Sequence, residues 1–322
     1  MRGAWLSFPT SLLHPPRLRA RRSRMAFSLP GFDADAFITN TLAEDLGAAG
    51  DITSAAVIPP DARFTGVMAT REAVVVAGLE LAEAVFGRLD PACDVVRLVE
   101  DGVAAAAGAA LLRVSGSARA LLAAERTALN IVQHLSGVAT LTRRYVEALA
   151  GTGAVLLDTR KTLPGLRALE KYATRMGGAE NHRMGVFDAA MIKDNHVAVA
   201  GSVGEAVARA AAAGIARIIV EVDALEQIEP ALAAGATHLL LDNMAPEVLR
   251  EAVALVAGRV PTEASGGVTL ETIRAMAETG VTYVSVGRIT QSAPAVDIGL
   301  DFETSRRRGA GALGVGARGG AR

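Results

Sequence analysis

The sequence has a single cysteine, Cys93, so it can form neither an internal disulfide nor a zinc site built from cysteines. Aromatic residues make up only 4% of the chain, too few for a platform on which nucleic-acid bases stack. The formal net charge is −1, which excludes a globally basic protein held to nucleic acid by phosphate neutralisation. No run of about 18 uncharged apolar residues occurs, so we expect no membrane span and no membrane partner.

What the sequence does contain is 322 residues, of which 51% are hydrophobic and 21% charged. A chain of this length and composition can bury a sizeable core in one large domain or two ordinary ones. Because the only thiol has no partner within the chain, a reducing cytoplasm is the expected location.

The two ends of the chain differ in composition from the residues between them. Residues 1–24 contain six arginines and no acid, and Met25 follows directly. Three interpretations of residues 1–30 compete: a start assigned too early with translation beginning at Met25, a disordered basic arm, or a targeting peptide. Residues 303–322 are rich in Gly, Ala and Arg and are predicted to form a disordered tail. The G-x-G-x-x-G string at Gly309 follows no predicted strand, so we assign no dinucleotide site to it.

The region 31–128 alternates helical and β-branched segments and carries no cluster of chemically active side chains. Its pattern predicts an amphipathic helix over 37–46, a second helix over 78–89, and strands rich in β-branched residues around them. A long helical pattern then extends over 118–150. We therefore expect an N-terminal α/β layer.

Six short apolar runs follow from residue 153 onward, each ending in polar side chains and separated from the next by an Ala-rich helical segment. Continuous apolar strands that alternate with helices are typical of parallel strands buried on both faces. Polar residues at successive strand ends indicate the active face of a β/α barrel, and six units are fewer than the eight of a closed barrel. The predicted strands cover residues 154–158, 189–192, 217–220, 238–241, 262–264 and 283–286.

The polar residues at these strand ends fall into three chemical groups. Cations recognise carboxylates and phosphates, paired carboxylates suit Mg²⁺ together with substrate oxygens, and glycine turns let backbone N–H groups hold a terminal phosphate. One charged strand end is usually a surface ion pair, but six polar ends in order favour a site for a phosphorylated, Mg²⁺-bound substrate and a second polyanion. The cations are Arg160, Lys161, His182, Arg183 and Lys193, the carboxylates are Glu221 and Asp242, and the turns are Ser265-Gly266-Gly267 and Val286-Gly287.

Eight ordered motifs between about residues 33 and 302 resemble those of the quinolinate phosphoribosyltransferase family. Each motif alone is weak, but eight in order on one chain are specific. They are Glu125-Arg126-Thr127-Ala128-Leu129-Asn130, Asp158-Thr159-Arg160-Lys161-Thr162, Asn181-His182-Arg183-Met184-Gly185, Met191-Ile192-Lys193-Asp194-Asn195-His196, Glu221-Val222-Asp223, Leu241-Asp242-Asn243-Met244, Glu263-Ala264-Ser265-Gly266-Gly267 and Ser285-Val286-Gly287. The resemblance implies an α/β fold in which an N-terminal α/β sandwich domain, residues 31–128 joined by about 289–302, precedes an incomplete six-stranded β/α barrel, residues 129–288.

The resemblance also implies an activity. The family transfers the phosphoribosyl group of phosphoribosyl pyrophosphate to quinolinate with decarboxylation, giving nicotinate mononucleotide, CO₂ and pyrophosphate in de novo NAD biosynthesis. Mg²⁺ is the implied cofactor, bound with phosphoribosyl pyrophosphate at Glu221 and Asp242, and no organic cofactor is expected. The implied assembly is a homodimer or larger homo-oligomer in which Arg126 crosses to the neighbouring site.

The same resemblance implies roles for individual residues. Lys161, Lys193, Glu221 and Asp242 are the expected catalytic residues. The expected substrate-binding residues are Arg126, Thr159, Arg160, Lys161, His182, Arg183, Lys193, Glu221, Asp242, Ser265, Gly266, Gly267, Val286 and Gly287.

Two positions depart from the family pattern. Gln291 stands where the family commonly has a histidine, so a proton-donating role there is in doubt, and Ala179 stands where a glycine is usual. A related branch associated with molybdenum utilisation shares the fold, but the complete motif at residues 191–196 argues against it. Two further hypotheses stay open: a barrel aldolase or lyase with Lys193 as a Schiff-base residue, and a phosphosugar-binding sensor without activity.

Overall fold

Two large sheets and one two-stranded pair organise residues 27–302, which are the residues described by this computed structural model. The expectations for the basic extension and the tail fall almost entirely outside the described residues. The strands are β1 Arg63–Thr70, β2 Val74–Val75, β3 Asp94–Arg97, β4 Ala104–Ala105, β5 Ala110–Ser117, β6 Val155–Leu157, β7 Ala190–Ile192, β8 Ile218–Val222, β9 His238–Asp242, β10 Thr262–Ser265, β11 Tyr283–Ser285 and β12 Ile298–Phe302.

Several helices begin at a side chain that accepts a hydrogen bond from their first free N–H groups. Asp33 accepts from Ala36 N at 3.0 Å, and Asp51 accepts from Ser54 N at 2.9 Å. The helices are α1 Ala34–Leu46, α2 Ile52–Val57, α3 Leu79–Leu89, α4 Ala118–Ala148, α5 Arg167–Gly177, α6 Asp194–Ala200, α7 Val203–Ala212, α8 Ile228–Ala233, α9 Pro246–Val256, α10 Ile273–Ala277 and α11 Arg288–Gln291, with a 3-10 turn at Leu225–Gln227.

The first sheet is antiparallel, with strand order β12-β1-β5-β3. The last described strand, β12, pairs with β1, so that Leu300 lies opposite Met68. The chain therefore returns to its N-terminal sheet after it has completed the second one. One apolar core, which includes the fully buried Met68, Leu112 and Phe86, fills the space between this sheet and the helices packed on it.

Helix α4 is the structural link between the two sheets. It runs without a break over 31 residues, and its buried side chains extend from Ala118 to Tyr145. It packs against α3 on the N-terminal side and against α5 on the other. Gly137 lets a neighbouring segment approach closely, because a Cβ at this position would overlap the Pro294 carbonyl oxygen. The proposed boundary between residues 128 and 129 falls within this helix.

The second sheet confirms the predicted six-stranded incomplete barrel. All its neighbouring strands are parallel, in the order β6-β11-β10-β9-β8-β7, so β6 and β7 are its two free edges. The backbone of Glu180 partly covers the β6 edge: its N–H donates to Leu156 O at 2.9 Å, and its carbonyl accepts from Asp158 N at 3.2 Å. This contact holds the chain that leads into Asn181 and His182 against the end of β6.

Side chains of the barrel strands alternate between two environments, as period-2 geometry requires. On β8, Ile218, Val220 and Val222 pack into the large core beneath the helices. Ile219 and Leu240 belong instead to a small cluster inside the barrel. Residues two positions further toward the carboxyl ends, on the same face as this inner cluster, therefore open onto the mouth of the barrel.

Candidate active site

A cavity of about 580 Å³ lies at the carboxyl end of the barrel strands. All of the predicted site residues except Arg126 line it, so the strand-end pattern does bring them together. The predicted residues present are Thr159, Arg160, Lys161, His182, Arg183, Lys193, Glu221, Asp242, Ser265, Gly266, Gly267, Val286 and Gly287.

Arginine and lysine side chains occupy one side of the cavity. Arg160 and Lys161 follow β6, and within residues 27–302 their side chains form no hydrogen bond or ion pair. Arg183 is buried, and its guanidinium donates to Ala189 O at 3.2 Å. Burial, together with the charge of Arg160, lowers the pKa of Arg183 below its ordinary value. Clustered cations form a site suited to an anion with more than one negative charge.

Arg167 ties together the two loops that carry these cations. Its Nε donates to Thr162 Oγ1 at 3.1 Å, and its Nη1 donates to Met184 O at 3.2 Å. Thr290 Oγ1 also donates to Lys161 O at 2.6 Å, which fixes the first loop against the end of the barrel. The anion site is therefore held by side chains that lie outside the cavity.

A buried ion pair fixes the backbone next to the cations. Asp158 and Lys171 are almost completely buried and form an ion pair. Asp158 also accepts hydrogen bonds from Thr174 Oγ1 at 3.0 Å and from Asn181 Nδ2 at 2.6 Å. Its remaining contact, from His182 N at 2.8 Å, positions the loop that leads to Arg183. Buried charges need this degree of hydrogen bonding to be tolerated.

Carboxylates occupy the other side of the cavity, on neighbouring strands. Glu221 of β8 forms an ion pair with Lys193, which follows β7. Asp242 ends β9, and its Oδ2 accepts from Asn243 Nδ2 at 2.7 Å. Lys193 is 43% exposed and paired with a carboxylate, so its surroundings do not resemble the desolvated pocket of a Schiff-base lysine.

The two carboxylates fit Mg²⁺ that arrives with a phosphorylated substrate. Within residues 27–302 no cluster of three or more His, Cys, Asp and Glu side chains forms a complete metal site. Glu221 and Asp242 both line the cavity and offer oxygen donors from adjacent strands. Mg²⁺ commonly takes one or two carboxylates and completes its coordination with water and substrate phosphate oxygens.

A glycine turn after β10 forms the third part of the site. Gly266 has φ +92°, a conformation that favours glycine, and a Cβ there would overlap the Asn243 amide. Gly287 lies after the adjacent strand β11, where a Cβ would sit 2.6 Å from Lys161 Cδ. Gly266, Gly267 and Gly287 all line the cavity, and glycine turns of this kind suit phosphate.

Two charged residues that line the cavity were not predicted as site residues. Glu263 is completely buried within β10, where its Oε2 lies 3.2 Å from His182 Nε2 and 3.0 Å from His238 Nε2. Burial acts to raise the pKa of Glu263, but the two histidines outweigh it and lower the pKa to about 2. The alternation of side chains between the two faces of a strand could have predicted Glu263 as a site residue, since it lies two positions before Ser265 on the same face.

Arg288 is the second unpredicted residue. It follows Gly287, is exposed and lines the cavity. Among the described residues it forms no hydrogen bond or ion pair through its guanidinium. It begins the short helix that follows β11, the strand paired with β10, and so adds a positive charge to the cavity near the end that carries the glycine turn.

Three further residues were singled out by the sequence analysis, and the structure shows where each of them lies. Arg126 is exposed on α4 and does not line the cavity of its own chain, so a role in a neighbouring subunit's site stays a prediction. Gln291 lines the cavity. Ala179 is buried with a negative φ, while Gly178 before it adopts the left-handed conformation that ends α5. The alanine therefore takes a conformation open to any residue.

Comparison with known proteins agrees with this architecture. Residues 51–136 match the N-terminal domain of quinolinate phosphoribosyl transferase, and residues 138–301 match its C-terminal domain. A carboxylating nicotinate-nucleotide pyrophosphorylase from Mycobacterium leprae is 48% identical over 273 residues, which cover 82% of this chain and 95% of that protein. A chloroplastic protein of the same name from Oryza sativa subsp. japonica is 40% identical over 309 residues, covering 90% and 81% of the two chains.

Solved structures give the same result. The nicotinate-nucleotide pyrophosphorylase from Francisella tularensis superposes with a TM-score of 0.80 at 38% identity, covering 84% of this chain and 96% of that one. NadC from Streptococcus pyogenes superposes with a TM-score of 0.81 at 38% identity, covering 87% of this chain and all of that one. Both domain matches, the relatives and the shared fold span most of the described residues, and the chain therefore belongs to the quinolinate phosphoribosyltransferase family.

Proposed function

We propose that this chain transfers the phosphoribosyl group of phosphoribosyl pyrophosphate to quinolinate and removes one carboxylate, producing nicotinate mononucleotide, CO₂ and pyrophosphate for NAD biosynthesis. The observation that carries the proposal is the division of one cavity into a cationic side, a carboxylate pair and a glycine turn. The names of its relatives, carboxylating nicotinate-nucleotide pyrophosphorylase and decarboxylating quinolinate phosphoribosyltransferase, support the same reaction.

Quinolinate carries two adjacent carboxylates and so requires several fixed cations. Arg160, Lys161 and Arg183 supply them from two loops that Arg167 holds together. Each hydrogen bond between a charged pair contributes about 1.5–3 kcal/mol, so two or three of them can select a dicarboxylate over nicotinate, which has one carboxylate. On the opposite side, the turn at Gly266 would bind the 5′-phosphate of the second substrate through backbone N–H groups.

The reaction exchanges bonds at the anomeric carbon of the ribose. The pyridine nitrogen forms the new C–N bond as the C–O bond to pyrophosphate breaks, and the bonding electron pair leaves with pyrophosphate. Positive charge develops on the sugar, where the carboxylates of Glu221 and Asp242 can stabilise it. The ring nitrogen is then cationic and accepts electron density as the neighbouring carboxylate leaves as CO₂, after which the ring carbon takes up a proton. No covalent nucleophile or organic cofactor is needed.

Glu221 and Asp242 would also hold Mg²⁺ with the pyrophosphate group. When bound, the ion would neutralise part of the charge of the leaving group. Lys193 pairs with Glu221 at the same edge of the cavity, so it would fix this carboxylate and add a positive charge near the leaving group.

The working unit we propose is a homodimer or larger homo-oligomer, in which the exposed Arg126 of one subunit completes the anion site of another.

Among the helices of residues 27–302, none has the length and apolar character that a membrane span requires. We propose a cytoplasmic location, which the single unpaired cysteine supports.

The test mixes the purified full chain with quinolinate, phosphoribosyl pyrophosphate and Mg²⁺, and follows nicotinate mononucleotide and CO₂ together. We expect both products in equal amounts with quinolinate and none when nicotinate replaces it. Arg183→Ala and Lys193→Ala should lose turnover while keeping the fold, whereas Arg250→Ala on the exposed face of α9 should leave it unchanged. A folded wild-type protein that makes neither product would refute the proposal.

A further inference from the structure

Every polar atom of His182 is already used within the protein. Its backbone N–H donates to Asp158 Oδ1 at 2.8 Å, and its carbonyl accepts from Lys171 Nζ at 3.1 Å. Both partners belong to the buried ion pair at the end of β6. The backbone of His182 is therefore fixed on both sides, although the residue lines the cavity.

Both nitrogens of the His182 imidazole ring also have partners within the protein. Its Nδ1 accepts the backbone N–H of Arg183 at 2.7 Å, so this nitrogen carries no proton. The other nitrogen, Nε2, lies 3.2 Å from Glu263 Oε2 and is then the protonated donor of that pair. A ring in this tautomer is neutral, so it has neither a free donor nor a positive charge to offer a substrate carboxylate.

Glu263 is built to hold that ring rather than to meet solvent. It is completely buried inside the barrel, and its Oε2 is flanked on the other side by His238 Nε2 at 3.0 Å. His238 in turn stacks on Tyr283, with ring centroids 5.6 Å apart. The carboxylate thus has a fixed location, and through the ring it fixes the backbone N–H of Arg183.

We propose that Glu263 and His182 are positioning residues that set the Arg183 guanidinium for recognition of a substrate carboxylate, and that His182 is not itself a charged ligand of the substrate. This inference rests on the proposed function for the identity of the dicarboxylate. Arg183 is the residue that depends on the pair, because its backbone is bonded to the ring and its guanidinium has a single hydrogen bond of its own, to Ala189 O.

The first test measures steady-state kinetics of two variants. Glu263→Gln removes the charge that holds the ring, and His182→Gln keeps a donor toward Glu263 but replaces the fixed ring nitrogen that accepts the Arg183 N–H with a flexible amide. We expect the KM for quinolinate to rise about tenfold or more in both, while the KM for phosphoribosyl pyrophosphate changes less than about twofold. Equal changes in both KM values, or none in either, would overturn the proposal.

The matched control is His134→Gln. His134 forms a comparable contact with a different fully buried carboxylate, its Nε2 lying 2.9 Å from Glu170 Oε1, but neither residue lines the cavity. It tests whether removing a histidine from such a pair is enough to disturb catalysis. We expect less than a twofold change in either KM, and a selective rise in the quinolinate KM of this variant would contradict the assignment.

The second test measures the tautomer of His182 in the wild-type protein, and variants serve only to assign its signals. The chain has five histidines, so ¹⁵N-histidine labelling gives a simple spectrum. His182 is assigned by its absence in His182→Gln, or by subtracting the signals of the other four in single variants. We expect one protonated and one unprotonated ring nitrogen, and no change of tautomer when quinolinate is added.

The outcomes separate this inference from the proposed function. A doubly protonated ring, or an Nδ1 that gains a proton when quinolinate binds, would make His182 a direct ligand and overturn the positioning role. A wild-type protein that does not turn over quinolinate would refute the proposed function instead. Even then, a protonated Nδ1 in the ligand-free protein would refute the positioning of Arg183 by His182 and Glu263, whatever the substrate.

Discussion

Replacing Lys171 with methionine should destabilise the protein more than any exposed charge substitution. Lys171 is 1% exposed and its partner Asp158 is fully buried, so the variant leaves a carboxylate charge in the interior without a countercharge. Breaking a buried ion pair from one side costs about 3–5 kcal/mol. Because Thr174, Asn181 and the His182 N–H still donate to Asp158, we expect the lower end, about 3 kcal/mol.

The assay is urea unfolding followed by circular dichroism, with thermal unfolding as a second measure. With an unfolding entropy of about 2.1 cal/mol/K per residue, the loss corresponds to a fall in melting temperature of roughly 4–5 °C for a chain of this size. The double variant Lys171→Met with Asp158→Asn removes the unpaired charge and should recover at least about 1 kcal/mol of the loss. Arg209→Met, in the exposed pair with Glu205, is the control and should change stability by less than about 0.5 kcal/mol.

Two results would refute this reasoning. A loss below about 1 kcal/mol for Lys171→Met would mean that the remaining donors or water fully solvate Asp158. If the losses in unfolding free energy of Lys171→Met and Asp158→Asn simply add in the double variant, the two charges are not coupled in the folded protein. Either result would also weaken the view that this pair fixes the backbone of His182.

Three further predictions concern the cavity. Gly266→Ala should abolish binding of phosphoribosyl pyrophosphate in calorimetry, because the new methyl overlaps a neighbouring amide, whereas Gly267→Ala strains only its φ of +59° in open space and should weaken binding less. Glu263 should make stability sensitive to acid. Its folded pKa, about 2, lies below the ordinary value of 4.5, so its stabilising contribution is present above pH 4.5, falls as pH drops toward 2, and is absent in Glu263→Gln. Arg288→Gln should raise the KM for phosphoribosyl pyrophosphate roughly fivefold and leave that for quinolinate unchanged, whereas an equal rise in both would exclude a phosphate-side role.

The positions of the few lysines support the assignment of a cationic side to the cavity. The chain has only three lysines among its 33 basic residues, namely Lys161, Lys171 and Lys193. Two line the cavity and the third forms the buried pair beneath it. A slender ammonium group fits where the broad guanidinium of arginine does not, so we expect Lys171→Arg to be destabilising despite conserving charge.

Local sequence patterns were sufficient for the secondary structure and for most of the site. The six apolar runs predicted the six barrel strands because a parallel strand covered on both faces must be continuously apolar. The carboxyl ends of parallel strands meet at one edge, so residues as far apart as Arg160 and Gly287 were placed in one cavity from their strand positions alone.

The tertiary structure alone decided how these side chains are used. His182 was expected to line the substrate pocket as a cation, but its four polar atoms are bonded to Asp158, Lys171, Arg183 and Glu263. Those partners come from a strand, a helix and two loops, and hydrogen-bond geometry between distant segments has no signature in local sequence. For the same reason the pairing of Lys193 with Glu221 and the exposure of Arg288 became visible only once the barrel had brought their strands together.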